Sequence, residues 1–346
     1  MAKNSSISNF KDIPREYILV ILLITIFEVS LCFLPEYKTF DKPYGYAALK
    51  LKGEIADSEN SYELIILGDC TGWAGIRPRV LEKDLSITAF NLSTNVEQTY
   101  LTQYILLKRY LQNCLKKPKL VILQLSGNSL TGKNSIDFNA LRSHILTHFR
   151  MDSDFLGEFS AEMRHKSNIF KMMCMIPSIR YQYFFRKKTW LKNIWENNRE
   201  DYERYRNIYV YERGFFNENL DPNKSNVEKI TDIGKDLKMF NVSDHNIRYI
   251  KKIIRLLDES GIKTLVCVSP VRNDAMVLWD KYEVSKKLEE TIKEMLDGYG
   301  SDIIFLGSSD IAYDKKYFID ALHLNEEGAN IFTHRLAEKI EKLSIY

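Results

Sequence analysis

Short apolar runs alternate along much of this chain with stretches whose apolar residues recur at helical spacing, the pattern of strands and helices taking turns. Glu63 to Leu67 (ELIIL), Ile87 to Leu92 (ITAFNL), Lys119 to Leu125 (KLVILQL), Thr264 to Ser269 (TLVCVS) and Asp302 to Leu306 (DIIFL) read as five strands. Helices are expected over Thr99 to Leu115, Asn246 to Glu259, Ser285 to Leu296 and Asn325 to Leu343, the second of them stopping at Gly261, a residue suited to a helix C-terminus. Strands this apolar are buried on both faces, so the expected fold is α/β, a three-layer sandwich with a parallel sheet between helices. Ligands of such sheets sit at the carboxyl ends of the strands, which directs attention to the residues just after Leu67, Leu92, Leu125, Ser269 and Leu306.

Two segments break the rhythm. Ile18 to Leu34 (ILVILLITIFEVSLCFL) is seventeen residues long with Glu28 and Ser30 as polar interruptions, close to the roughly 17 residues that span a bilayer as a helix. Lys3, Lys11 and Arg15 precede it, placing the N-terminus on the cytoplasmic side and the rest of the chain outside. No small-residue cleavage site follows, and Leu31 stands before Cys32 where a lipoprotein signal needs a small residue, so the reading is an uncleaved transmembrane anchor rather than a signal peptide. Glu28 in such a span lies near the outer interface or faces a partner helix. The second break runs from about residue 140 to 240, rich in aromatic and basic residues (RYQYFFRKKTWLKNIWENNREDYERYR). It reads as a helical insertion with a charged outer face, suited to cap the sheet or to dock on lipid headgroups or a polymer. The expected organisation is therefore residues 1–35 as cytoplasmic tail and anchor, 36–139 and 241–346 as two parts of one sheet domain, and 140–240 as the insertion.

Composition narrows the function. Lys and Arg number 49 against 46 Asp and Glu, a net charge of +3, and acidic residues are mixed into the basic insertion, so a nucleic-acid partner is not expected. The five cysteines, at 32, 70, 114, 174 and 267, form no CxxC pair and no Cys/His zinc spacing, and neither metal nor cofactor is expected. Gly127 to Lys133 (GNSLTGK) matches the outline of a phosphate-binding loop, but Asn134 follows where magnesium binding needs Ser or Thr.

Three constellations fall where the sheet rule points. Gly68-Asp69-Cys70 follows the first strand; a cysteine opening a helix meets the unpaired N–H groups of its first turn, which stabilise an anionic sulfur. Asp320-Ala321-Leu322-His323 places a carboxylate three residues before a histidine, so that Asp320 orients the ring and His323 serves as base to a nucleophile. Ser126-Gly127-Asn128-Ser129 follows the third strand, where the Asn128 amide can donate to a developing oxyanion. Each has a plainer reading as a buried thiol, a helix cap or a turn.

Taken together and in order, GDC at 68–70, SGNS at 126–129 and DALHLNEEG at 320–328 resemble the motif blocks of the SGNH/GDSL hydrolase superfamily, whose sheet is flavodoxin-like. The resemblance covers roughly 60–139 and 241–346. It implies Cys70 as nucleophile, in place of the usual serine, His323 and Asp320 as the other triad members, and an oxyanion hole from the Cys70 N–H, Asn128 and, as a third donor, Ser93. Ser126 and Ser129 stand where Gly and Asp are usual, and the glycine of the second block is missing from Asn91-Leu92-Ser93-Thr94-Asn95. One anchor followed by an outer domain with an insertion looks most like the membrane-anchored proteins of D-alanine transfer and of alginate or cellulose O-acetylation. That likeness implies acyl transfer through an acyl-enzyme to a polysaccharide or teichoic-acid-like acceptor, outside the cell membrane and beside a membrane-bound O-acyltransferase. A carbohydrate esterase, or an inactive scaffold for such a partner, would carry the same layout.

Overall fold

A computed structural model of the chain describes residues 43–94, 99–130, 199–215, 242–300, 302–307, 311–320 and 322–344, together with positions 19, 22, 23 and 26. The chain divides into two compact units, one of Lys42–Arg150 with Glu200–Tyr346, the other of Met1–Asp41 with Met151–Arg199. The sheet and the candidate site lie in the first.

Five strands, β1 (Leu64–Leu67), β2 (Ala89–Asn91), β3 (Leu120–Leu125), β4 (Lys263–Val268) and β6 (Ile303–Phe305), form one sheet in the order β2-β1-β3-β4-β6, with every neighbouring pair parallel. In register, Leu64 faces Leu120 and Leu120 faces Lys263 at the start of the central strands, and Leu125 faces Val268 at their ends. β1 and β3, apolar but for Gln124, are buried along their whole length, as such runs must be when both faces are covered. A second, two-stranded parallel sheet joins β5 (Val271–Arg272) to β7 (Ala312–Tyr313).

On one face Leu64, Ile66, Leu120, Ile122, Leu265 and Cys267 pack with Leu81, Phe332, Leu336 and Ile340. Leu81 belongs to α3 (Pro78–Leu85) and the last three to α10 (Glu326–Lys342). The spacing of Phe332, Leu336 and Ile340 gives α10 one apolar stripe, and the Asn325 carbonyl side-chain oxygen caps its start by accepting the Gly328 N–H at 2.9 Å. The helices α1 (Pro43–Ala56), α4 (Thr99–Asn113) and α7 (Asp244–Glu259) pack together, α4 lying between the other two. Tyr249, Ile250, Ile253, Ile254 and Leu257 form the buried stripe of α7, which ends before Gly261 at a positive φ of 66° that favours glycine. The remaining helices are α2 (Cys70–Gly75), α5 (Gly127–Leu130), α6 (Arg199–Tyr211), α8 (Asn273–Lys281) and α9 (Val284–Leu296).

All five expected strands of the main sheet are present within one or two residues of their expected ends, as are four expected helices. α1, α3, α8 and the small sheet were not anticipated, because each is short or built around Pro43, Pro78 or loop residues that break the periodic pattern. Most of the anchor segment lies outside the described residues; Leu19, Leu22, Leu23 and Ile26 are helical and exposed. Among the described residues no helix is long and apolar enough to cross a membrane. Most of the 140–240 segment also lies outside them. Its described part, α6 and the turn after it, extends the edge of β2: Asn91 N–H donates to the Arg213 carbonyl at 2.9 Å, and Gly214, at φ 84°, passes so close to the Asn91 carbonyl that a side chain would collide with it.

Candidate functional site

At the end of β1 the chain turns through Gly68-Asp69 into α2, whose first residue is Cys70. Asp69, almost fully buried, caps this helix: its Oδ1 accepts the Thr71 N–H at 2.8 Å and the Thr71 hydroxyl at 2.6 Å, and its Oδ2 accepts the Ser126 hydroxyl from the end of β3. The Thr71 and Ser269 hydroxyls lie 2.6 Å apart, and Gln124 of β3 donates to both. Ser269 follows β4, and its N–H donates to the Leu125 carbonyl at 2.9 Å. The turn that carries Cys70 is thus fastened to two neighbouring strands by hydrogen-bonded side chains in the core. Gly72 is glycine because a Cβ there would strike Gln124 Oε1.

β2 contributes a second lock. Asn91, with no exposed surface, donates through Nδ2 to the Gly72 and Ile76 carbonyls, each at 3.0 Å, and accepts the Ser93 N–H at 2.9 Å. The Ser93 carbonyl accepts from Lys52 of α1, whose Nζ also sits 4.3 Å from the centre of the Trp73 ring. Burial pushes the Lys52 amine well below its ordinary range.

The histidine arm lies between the 3₁₀ turn Lys315–Tyr317 and α10. Asp320 Oδ1 accepts the backbone N–H groups of Leu322 and His323, both at 2.7 Å, while Oδ2 is 2.7 Å from His323 Nδ1. The Cys70 side chain, like Asp320, is near enough to act on the His323 ring. Burial alone would lower the His323 pKa, but the hydrogen bonds and charges of Asp320 and Cys70 outweigh it and hold the imidazole well above its ordinary range. Burial would likewise raise the Asp320 carboxyl, and its bonds to His323 and to the two amides bring it below the usual carboxylate range.

Cys70, His323 and Asp320 are therefore brought into one neighbourhood, although 253 positions separate the thiol from the imidazole (323 − 70). The Cys70 N–H opens a helix and has no acceptor among the described residues. The backbone of Asn128 lies in α5 at the carboxyl end of β3, and its side chain lies outside the described ones. The Ser93 amide donates to Asn91 Oδ1 at 2.9 Å, and its buried hydroxyl has no partner among the described residues. Cys267 is fully buried, its thiol pushed up to about 12, and Cys114 is also raised by burial; neither has a histidine beside it among the described contacts. No group of three or more His, Cys, Asp or Glu residues among the described ones is arranged to hold a metal ion.

The sequence pointed to Cys70, Asp320 and His323 as candidates but not to the residues that hold them. Gln124 was visible as the polar residue of an otherwise apolar strand, and Asp69 as an Asp before a helix start. Asn91 and Lys52 carried no comparable signal.

No curated protein matches the chain. A family profile does, over residues 77–338, a span that includes Asp320 and His323 and begins seven residues after Cys70 (77 − 70). With about three quarters of its length matched, the chain belongs to the family described as a protein of unknown function, DUF1574.

Proposed function

We propose that this protein is an acyl-transfer enzyme of SGNH type that works through a covalent intermediate on Cys70. The observation that carries the reading is the Asp320 carboxylate 2.7 Å from His323 Nδ1, with the Cys70 side chain near enough to act on that ring, at the carboxyl edge of a parallel sheet. A thiol beside an imidazole that a carboxylate orients can give its proton to the ring and attack a carbonyl, the arrangement nucleophilic catalysis uses.

In this mechanism the Cys70 sulfur attacks an acyl carbonyl, and the Cys70 N–H, with Asn128, donates to the tetrahedral oxyanion. His323 delivers its proton to the leaving group as the oxyanion collapses to a thioester. The neutral ring then takes the proton of an incoming hydroxyl, that hydroxyl attacks the thioester, and Cys70 leaves as thiolate. Asp320 keeps Nδ1 protonated throughout, so that Nε2 is the nitrogen that exchanges the proton. A sugar or polyol hydroxyl as acceptor makes the enzyme an O-acyltransferase; water makes it an esterase. The N-terminal apolar segment and the resemblance to membrane-anchored acylation proteins favour a polysaccharide or teichoic-acid-like acceptor outside the cell membrane, with the acyl group supplied through a membrane-bound O-acyltransferase.

Hydrolysis of p-nitrophenyl acetate by the full chain in detergent tests the reading. Cys70→Ala is expected to abolish turnover, Cys70→Ser to retain a weak activity, and His323→Ala to cost about 10²- to 10⁴-fold, the usual contribution of a general base. Equal rates in all four proteins would refute it.

A further inference from the structure

Arg272 is buried to 2% exposure at the end of β5, and its guanidinium is divided between two partners. Nε and Nη2 meet the carboxylate oxygens of Asp274 at 3.0 and 2.5 Å, and Nη1 donates to the backbone carbonyl of Asp320 at 3.3 Å. Asp274 stands in the first turn of α8, its carboxyl held below the usual range chiefly by the hydrogen bond from Arg272. A planar guanidinium serves a bidentate carboxylate and a third acceptor in one fixed plane, a fork that the rotatable donors of an ammonium do not reproduce.

The acceptor is the informative partner. Asp320 is the residue whose carboxylate holds His323, so its backbone position sets where the imidazole sits. The rest of that turn is braced internally: Ile319 N–H donates to the His323 carbonyl at 2.9 Å, Asn325 N–H to the Tyr317 carbonyl at 2.8 Å, and Asn325 Nδ2 to the Lys316 carbonyl at 2.6 Å. These bonds keep the turn's shape but do not tie it to the β4 side of the site. Arg272 does so, and the pairing of Arg272 with Tyr313 in the small sheet brings the chain leading into the turn alongside.

We propose that Arg272 is a positioning residue, whose grip on the Asp320 carbonyl fixes the place from which Asp320 orients His323 toward Cys70. The proposal rests on the reading of Cys70 and His323 as a reacting pair, and its test separates the two. The groups facing His323 among the described residues are Asp320 and Cys70, so reactivity of the thiol reports the ring's placement.

The experiment measures alkylation of Cys70 by iodoacetamide against pH, followed by mass spectrometry of the Cys70 peptide, in the full chain. An unpaired thiol loses reactivity below its ordinary pKa of about 8.5, whereas a paired one stays reactive to lower pH. If wild type and His323→Ala share one profile, the reacting pair itself is refuted. If they differ, two variants test Arg272: Arg272→Lys, which leaves Asp274 a cation, and Arg272→Met with Asp274→Met, which removes the ion pair whole and leaves no buried charge alone. The expected result at pH 6.5 is a rate about tenfold below wild type in the double variant, equal to a one-unit shift, with Arg272→Lys between. Wild-type profiles in both variants, with near-ultraviolet circular dichroism showing native packing, would overturn the proposal while leaving the reacting pair intact.

Discussion

Asp320 divides its two carboxylate oxygens between shape and chemistry. One holds the backbone amides of Leu322 and His323 and so makes the turn; the other holds the ring of His323. Orientation of the imidazole is therefore built into the turn, and the pH dependence follows. The His323 pKa is raised in the folded protein, so its contribution to stability is complete below the unfolded value of about 6.5 and is lost as pH rises through the folded value. Asp320 is depressed, and its contribution is present above about 3.9 and lost as pH falls through its folded value. Thermal melting of wild type and His323→Gln between pH 5 and 9 should show the largest difference at the acid end, narrowing as pH rises. A difference that grows with pH would contradict the assignment. Asp69 makes an analogous case without a titrating partner. Its carboxylate caps α2 and holds Thr71 and Ser126 in the core, so Asp69→Ala should cost about 1–3 kcal/mol in urea unfolding, the range for leaving buried hydrogen-bond partners unsatisfied.

The secondary-structure elements show what the sequence pattern discloses. β1, β3 and β4 were legible because their apolar runs have no other use than burial between two layers, and α7 and α10 because their stripes recur every three to four residues. The candidate residues Cys70, Asp320 and His323 stood out for a related reason: they lie immediately after a strand or just before a helix, where local motifs carry them. What holds them was not, because Asn91, Lys52 and Arg272 act through contacts between residues distant in sequence, which periodicity does not encode. The close approach of α10 to the histidine turn is a further example. Gly328 lies in the first turn of that helix, and a Cβ there would collide with the Tyr317 carbonyl that accepts the Asn325 N–H. Gly328→Ala should therefore force the turn and the helix start apart, at about 1–3 kcal/mol of stability as in other overpacked sites. It should also slow Cys70 acylation; stability equal to wild type in chemical denaturation would show that the turn yields freely.

At the scale of the whole molecule, the unit of Lys42–Arg150 and Glu200–Tyr346 contains the parallel sheet and the Cys70–His323–Asp320 arrangement together, while the apolar N-terminal segment belongs to the other unit. The proposed location outside the membrane rests on that segment and its basic flank, Lys3, Lys11 and Arg15. It makes a direct prediction. Val277 is exposed on α8, and Val277→Cys should react with a membrane-impermeant maleimide in intact cells, above the level of the parent chain. Labelling that appears only after lysis would place the sheet in the cytoplasm and remove polysaccharide as the acceptor.

The covalent intermediate on Cys70 is the claim on which the rest depends. Mass spectrometry of the full chain, quenched in acid after brief exposure to p-nitrophenyl acetate, tests it without knowledge of the natural donor or acceptor. The account predicts one acetyl group on the peptide carrying Cys70, sensitive to hydroxylamine as a thioester is, absent from Cys70→Ala and slow to form in His323→Ala. An unmodified Cys70 peptide, or an equal acetyl load on Cys114, would contradict it.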